Sequence, residues 1–108
     1  SRNRSASLPQ RQACGCDIGL IDTGVASTLA AFKHVKLTQR AFNGKTAQPR
    51  LHGTAVAHLM AGTKGNPARA TKILVAYIFS GPRETAGSSF ALVKALDWLA
   101  AQGVPVIN

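Results

Sequence analysis

The feature that most constrains the fold is an uninterrupted apolar run over residues 73–79, Ile-Leu-Val-Ala-Tyr-Ile-Phe. The run is rich in residue types that favour β-strands. It shows no alternation of apolar and polar side chains, so both faces of such a strand need to be covered. Residues 73–79 therefore predict a central strand of a sheet that lies between two other layers.

Three other segments have the character of strands. Residues 16–21 end in a short apolar run, Ile-Gly-Leu-Ile, and predict a buried strand. Residues 34–42 alternate more weakly and predict a second strand, although Gln39 interrupts its apolar face. Residues 104–107 predict the beginning of a last strand.

Two segments have the apolar spacing of amphipathic helices. The first covers residues 53–61, with Val56, Leu59 and Met60 as its apolar stripe. The second begins near Ser88 or Ser89 and ends at Gly103, and its stripe is formed by Leu92, Leu96 and Leu99. Strands that alternate with helices predict an α/β fold with a mostly parallel sheet and right-handed crossovers.

The composition limits the size and surroundings of this fold. A chain of 108 residues with 45% hydrophobic residues is long enough for one small domain with a core. Residues 1–15 are polar and basic and predict a linker or arm, which leaves residues 16–108 for the domain. A terminal strand of about four residues would leave a sheet edge uncovered, so residues 16–108 are expected to be part of a larger domain. No apolar run approaches the roughly 18 residues of a membrane span, so no membrane partner is expected.

Charge and cysteine content bear on possible partners and cofactors. The formal net charge is +9, from 13 Lys and Arg against 4 Asp and Glu, and such a balance raises the question of nucleic acid. The basic residues are scattered without interleaved aromatic residues, so we expect a basic surface and no nucleic-acid partner. Cys14 and Cys16 are too few for a zinc site and poorly spaced for a disulfide, and free thiols are expected. We expect neither a cofactor nor a metal.

Two side chains with catalytic potential lie at the ends of predicted secondary-structure elements. Asp22 comes directly after the apolar run of the first strand, at the carboxyl end where open α/β sheets place their ligand crevice. His52 lies at the start of the first predicted helix. A carboxylate and an imidazole are two of the three groups of a nucleophile-activating triad. Asp22 and His52 are therefore the candidate catalytic residues.

Three segments resemble the sequence motifs of subtilisin-like serine peptidases. Ile-Gly-Leu-Ile-Asp-Thr-Gly-Val over residues 18–25 resembles the aspartate motif, and His-Gly-Thr-Ala-Val-Ala over 52–57 resembles the histidine motif. Val-Pro-Val-Ile-Asn over 104–108 resembles the strand that leads into the substrate-binding segment. Asp before His, with Ser to follow, is also the order of this family. The resemblance covers residues 17–108.

The resemblance implies a three-layer subtilisin-like fold of which only the N-terminal part is present. It implies a serine endopeptidase that hydrolyses peptide bonds in proteins by an Asp-His-Ser triad. His52 would be the general base and Asp22 would fix its tautomer, with the serine beyond Asn108. This chain alone would then be inactive and would need the remainder of the catalytic domain, from the same gene product or a companion chain. A secreted or periplasmic location follows from the family.

The chain departs from the family pattern in places. His58 stands where a glycine commonly follows, and the His-Pro pair after the aspartate motif is absent. The segment over residues 62–72 carries no acid, and Asn66 alone is too little for calcium, so we expect none there. We expect His34 and His58 to have surface and packing roles.

Two other functions are compatible with parts of the sequence. One is a non-enzymatic module, either an inactive subtilase-like domain or a basic binding domain. The other is an aspartic peptidase of the retroviral type, which also uses Asp-Thr-Gly and has chains of similar length. That class is all-β, and the two helical stripes argue against it.

Overall fold

The computed structural model describes residues 17–44, 47–63, 65, 69–80, 86–87 and 89–107. The predicted arm over residues 1–15, with Cys14, as well as Cys16, Asn66 and Ser88, lie outside the described residues. In chain order the elements are β1 (Asp17–Asp22), β2 (Lys36–Ala41), α1 (Leu51–Ala61), β3 (Lys72–Tyr77), β4 (Phe79–Ser80), β5 (Ala86–Gly87), α2 (Ser89–Gln102) and β6 (Val106–Ile107). A short 3₁₀ turn, Ala30–Phe32, precedes β2.

The central element is a parallel sheet with the strand order β2-β3-β1-β6. A separate antiparallel pair is formed by β4 and β5. The prediction of a central strand is confirmed, because β3 lies between two neighbours and is buried on both faces. The predicted strand over 73–79 nevertheless divides after Tyr77, and Phe79 belongs to β4.

The two helices cover opposite faces of the sheet. Ile73 and Val75 of β3 belong to one buried cluster together with Ala57 and Ala61 of α1. The alternate residues of β3, Leu74 and Ala76, belong to a second cluster with Ala91, Ala95 and Leu99 of α2. Side chains of a strand alternate between faces, so the clusters are the two sides of one sheet. The fold is therefore α/β with three layers.

The buried stripes of both helices differ in part from those expected from the sequence, since Val56 and Met60 of α1 and Leu92 of α2 do pack against the two clusters. The fully buried residues of α1 are the small ones, Gly53, Ala57 and Ala61, whereas Leu59 is 81% exposed. In α2, Leu99 is buried as expected but Leu96 is 42% exposed, and alanines again face the sheet. Small residues let a helix axis approach the sheet closely and leave the larger side chains at the flanks.

The connections between the parallel strands do not all have one hand. The connections β2–α1–β3 and β3–α2–β6 step across the sheet in the same direction, but their helices cover opposite faces. Such a pair necessarily has opposite hands. The connection from β1 to β2 steps the other way over the α1 face, where Val25 and Phe32 are buried, and so shares the hand of β3–α2–β6.

About 98% of such crossovers are right-handed. That preference assigns the right hand to the two connections that agree and the left hand to β2–α1–β3. The expectation of right-handed crossovers throughout is therefore wrong for this unit. Apolar spacing indicates that a helix joins two strands, but it carries no information about the face on which that helix packs.

Two further observations limit what the fold can be. Helices of 11 and 14 residues are not compatible with the all-β aspartic peptidase considered above. Among the described residues, neither helix combines the length and apolarity that a membrane crossing requires.

Candidate active site

Asp22 is the last residue of β1 and lies at the carboxyl end of the parallel sheet. Its side chain is only 6% exposed, and it is the one buried charged or polar residue in the described core. The backbone N–H of Thr23 donates a hydrogen bond to Asp22 Oδ1 over 2.6 Å. A buried carboxylate needs such donors, since it has lost its contact with water.

His52 lies in the first turn of α1, and its Nδ1 is 2.7 Å from Asp22 Oδ1. An ionised carboxylate only accepts hydrogen bonds, so the proton in this pair belongs to Nδ1. Nε2 of a neutral imidazole then carries the lone pair. The His52 side chain is 74% exposed, in contrast to that of Asp22. The pair thus joins a sheltered carboxylate to an accessible imidazole.

The turn after β1 is fastened to the first turn of α1 by hydrogen bonds in both directions. Gly53 N–H donates to Thr23 Oγ1 over 2.8 Å, and Ala26 N–H donates to Thr54 Oγ1 over 3.0 Å. Arg50 N–H donates to the Gly24 carbonyl over 2.9 Å. The residue at the N-cap of α1, Arg50, provides no side-chain cap, so Thr23 satisfies one of the free N–H groups instead. These bonds fix His52 relative to Asp22.

Two glycines are needed for this close approach. A Cβ on Gly53 would overlap the Thr23 carbonyl oxygen and lie 2.6 Å from Thr23 Oγ1. A Cβ on Gly24 would overlap the carbonyl oxygen of Gln48. Gly53 therefore leaves room for the backbone of Thr23 and Gly24 near the site.

Gln39 supports the site, although the sequence marked it only as an interruption of β2. Its Oε1 accepts a hydrogen bond from Val25 N–H over 2.7 Å, and its Nε2 donates to the Val25 carbonyl over 3.2 Å. The backbone N–H and C=O groups of Val25, in the turn after β1, thereby both have a hydrogen-bond partner. A polar side chain at an inward position of a strand is the signal that could have identified this role.

The other histidines lie apart from the pair. His34 Nε2 is 3.0 Å from the carbonyl oxygen of Ala61 at the end of α1. The His58 ring meets Phe32 edge-on, with ring centroids 6.3 Å apart. Asp97 is exposed on α2. Within the described residues, no group of three or more His, Cys, Asp or Glu side chains is placed to hold a metal ion.

In the part of the chain that the structure describes, no third group of a triad lies in hydrogen-bond contact with His52. No serine hydroxyl among the described residues forms a hydrogen bond with its imidazole. Comparison of the chain with models of known protein families and with curated protein sequences found no match. What can be said of function therefore comes from the motifs and from the geometry of Asp22 and His52.

Proposed function

We propose that this chain is the N-terminal part of the catalytic domain of a subtilisin-like serine endopeptidase. The observation that carries the proposal is the 2.7 Å hydrogen bond between Asp22 Oδ1 and His52 Nδ1. Two features support it: the position of Asp22 at the carboxyl end of a central strand, and the sequence motifs around both residues. A subtilisin-like three-layer arrangement is part of the same proposal.

In this mechanism His52 Nε2 accepts the proton of a serine hydroxyl while the serine oxygen attacks the peptide carbonyl carbon. The imidazolium then gives that proton to the leaving amine, and an acyl-enzyme remains. His52 next removes a proton from water, whose oxygen attacks the carbonyl carbon of the ester. The imidazolium returns this proton to the serine oxygen as the ester C–O bond breaks, which releases the acid and restores the serine. The serine would be supplied from beyond Asn108 or by a companion chain.

Asp22 has two tasks in these steps. Its carboxylate holds the Nδ1–H tautomer, which directs the lone pair of Nε2 toward the nucleophile. It also stabilises the positive charge that His52 carries after each proton transfer. Burial of Asp22 beside the exposed imidazole keeps water from competing for Oδ1.

The test uses the complete gene product or, if one exists, the complex with the companion chain. Replacement of the base, His52→Ala, should lower turnover of a protein substrate by about 10⁶-fold, as loss of the whole triad does. It should also abolish labelling by a fluorophosphonate probe. His58→Ala is the matched control, since His58 is exposed on the same helix. Its activity should remain within about twofold of the parent, as for surface substitutions away from a site.

Near-normal peptidase activity of His52→Ala would reject the proposal. A complete protein without a probe-reactive serine would favour the alternative of a catalytically inactive subtilase-like domain.

A further inference from the structure

We propose that the free edge of β2 and the cavity between β2 and α2 bind an extended polypeptide segment with acidic side chains at alternate positions. This surface lies on the α2 face of the sheet and does not depend on peptidase activity. The proposal combines a row of available backbone groups, a set of fixed cations and a cavity that receives side chains.

The backbone of β2 has one edge available for pairing. Within the described residues, β2 is the outer strand of the sheet. Lys36 N–H donates to Thr71 and Phe42 N–H donates to Tyr77, so the even-numbered residues of β2 bond toward β3. The N–H and C=O groups of Leu37, Gln39 and Ala41 consequently point away from the sheet. An added strand would pair with these groups, as in β-augmentation.

Two of the three side chains on the α2 face of β2 are basic. Thr38 and Arg40 pair in register with Leu74 and Ala76, which belong to the buried cluster beneath α2. Lys36 lies on the same face, two residues earlier. Side chains of a strand added beside β2 would lie next to Lys36 and Arg40, and carboxylates at alternate positions would be their favourable cross-strand partners.

A cavity of about 540 Å³ adjoins Arg40. Its walls include the rings of Phe42 and Trp98, and its charged lining consists of Arg40, Lys94 and Asp97. Two cations against one carboxylate favour an anionic side chain. A volume of this size lies in the range of roughly 300–1,000 Å³ typical of binding pockets, which is ample for one long side chain.

Arg40 is held in place but keeps its donors available. Its guanidinium carbon lies 5.1 Å from the centroid of the Phe42 ring and 5.8 Å from that of Trp98. No acidic side chain among the described residues forms an ion pair with it. A guanidinium stacked on aromatic rings is already oriented, so it loses little freedom when it binds a carboxylate through two N–H groups.

A second copy of this chain is the less suitable occupant. The net charge of +9 makes two copies repel each other, and β2 edges brought together would oppose Lys and Arg side chains. Charged residues on an edge strand prevent such self-pairing. They do not prevent, and here would favour, pairing with an acidic strand.

Trp98 is the only tryptophan of the chain, so its fluorescence reports directly on the cavity. The 108-residue chain should be titrated with the blocked peptide Glu-Val-Glu-Val-Glu-Val. We expect a saturable change in emission that weakens as salt is raised. The matched peptide Lys-Val-Lys-Val-Lys-Val should produce none. A peptide of the same charge with proline in place of each valine should bind at least about tenfold more weakly, because proline removes the N–H groups that pair with β2.

Variants locate the binding surface. Arg40→Glu and Lys94→Glu should each weaken binding by about tenfold, since each replaces an attraction by a repulsion. Lys33→Glu makes the same charge change at an exposed residue outside this surface and should alter binding by less than about threefold. Circular dichroism would establish that each variant keeps its helices.

Four results would overturn the proposal. One is the absence of a saturable Trp98 response, and another is equal weakening by Lys33→Glu. The third is equal affinity for the proline peptide, which would indicate charge attraction without strand pairing. Emission that changes with the concentration of the chain itself would identify a second copy as the occupant and would likewise refute an acidic partner.

Discussion

The two faces of the sheet are built by different means. On the α1 face, Gly53, Ala57 and Ala61 bring the helix close to the sheet. Hydrogen bonds that backbone N–H groups donate to the hydroxyls of Thr23 and Thr54 fasten its first turn. On the α2 face, apolar packing around Leu99 and the stacked Arg40 predominate, together with a hydrogen bond that Asn43 Nδ2 donates to the Phe79 carbonyl. The α1 face therefore fixes directions as well as distances, whereas the α2 face mainly excludes water.

Exposure of apolar side chains does not separate the two faces. Leu51 and Leu59 of α1 are 86% and 81% exposed, and Phe90 and Val93 of α2 are 71% and 61% exposed. The cavity beside Trp98 opens on the α2 side. The Asp22–His52 pair lies where β1 ends and α1 begins, on the side held by hydrogen bonds. Catalytic geometry depends on orientation to fractions of an ångström, and such geometry is best supported by directional bonds. We therefore expect substitutions on the α2 face to lower stability with little effect on the geometry of the site. Substitutions on the α1 face should disturb that geometry.

The largest loss of stability is expected on the α2 face, from Leu99→Ala. Leu99 is fully buried, and removing its side chain leaves a cavity beneath α2. The free energy of unfolding should fall by about 3 kcal/mol, measured by urea denaturation of the 108-residue chain. The Nδ1–H proton resonance of His52 should stay in place in the folded protein. A shifted or lost resonance would show that packing on the α2 face also determines the geometry of the Asp22–His52 pair. It would contradict the difference between the two faces described above.

A smaller loss of stability with a larger effect on the site is expected from Gly53→Ala. The added Cβ meets the backbone and hydroxyl of Thr23, which cannot both move away. Unfolding free energy should fall by about 2 kcal/mol, and the downfield Nδ1–H resonance of His52 should disappear as α1 is displaced. Gly44→Ala is the control, because a Cβ at Gly44 meets nothing within 4 Å. Its cost should be limited to about 1 kcal/mol for the positive φ, with the resonance kept.

An unchanged His52 resonance in Gly53→Ala would mean that the site tolerates displacement of α1. The close approach would then not be what orients the imidazole.

The sequence predicted those parts of the fold that depend on neighbouring residues. Asp22 follows an apolar run and His52 precedes a helical stripe, so both were located at element ends from local pattern alone. The packing partners were not predictable in this way. Leu59 has the correct spacing for burial in α1 and is nevertheless exposed, because the neighbouring alanines allow the closer approach.

Features that join distant parts of the chain also could not be predicted from the sequence. Gln39 is 14 residues from the Val25 backbone that it holds, and its amide looked like a defect in β2. The left hand of β2–α1–β3 depends on which face α1 covers, which is a property of the whole sheet. The cavity beside Trp98 requires β2 and α2 to meet across more than 50 residues of sequence. Sequence patterns indicate which face of a single helix or strand is apolar. The features named here depend on which elements pack against each other, and that is not visible in the pattern of one element.

The smallest effect on stability, and the sharpest test of the comparison, is expected from Thr23→Val. Valine keeps the shape of the side chain but cannot accept the hydrogen bond from Gly53 N–H. That N–H lies in the uncapped first turn of α1, so unfolding free energy should fall by about 1 kcal/mol, the usual value of a helix cap. Because the lost bond is beside His52, the Nδ1–H resonance of His52 should broaden through faster exchange with water. We expect this even though the Thr23→Val variant is far more stable than the Leu99→Ala variant. Equal resonances in Thr23→Val and the parent would show that the 2.7 Å bond from His52 to Asp22 orients the ring without help from the first turn of α1.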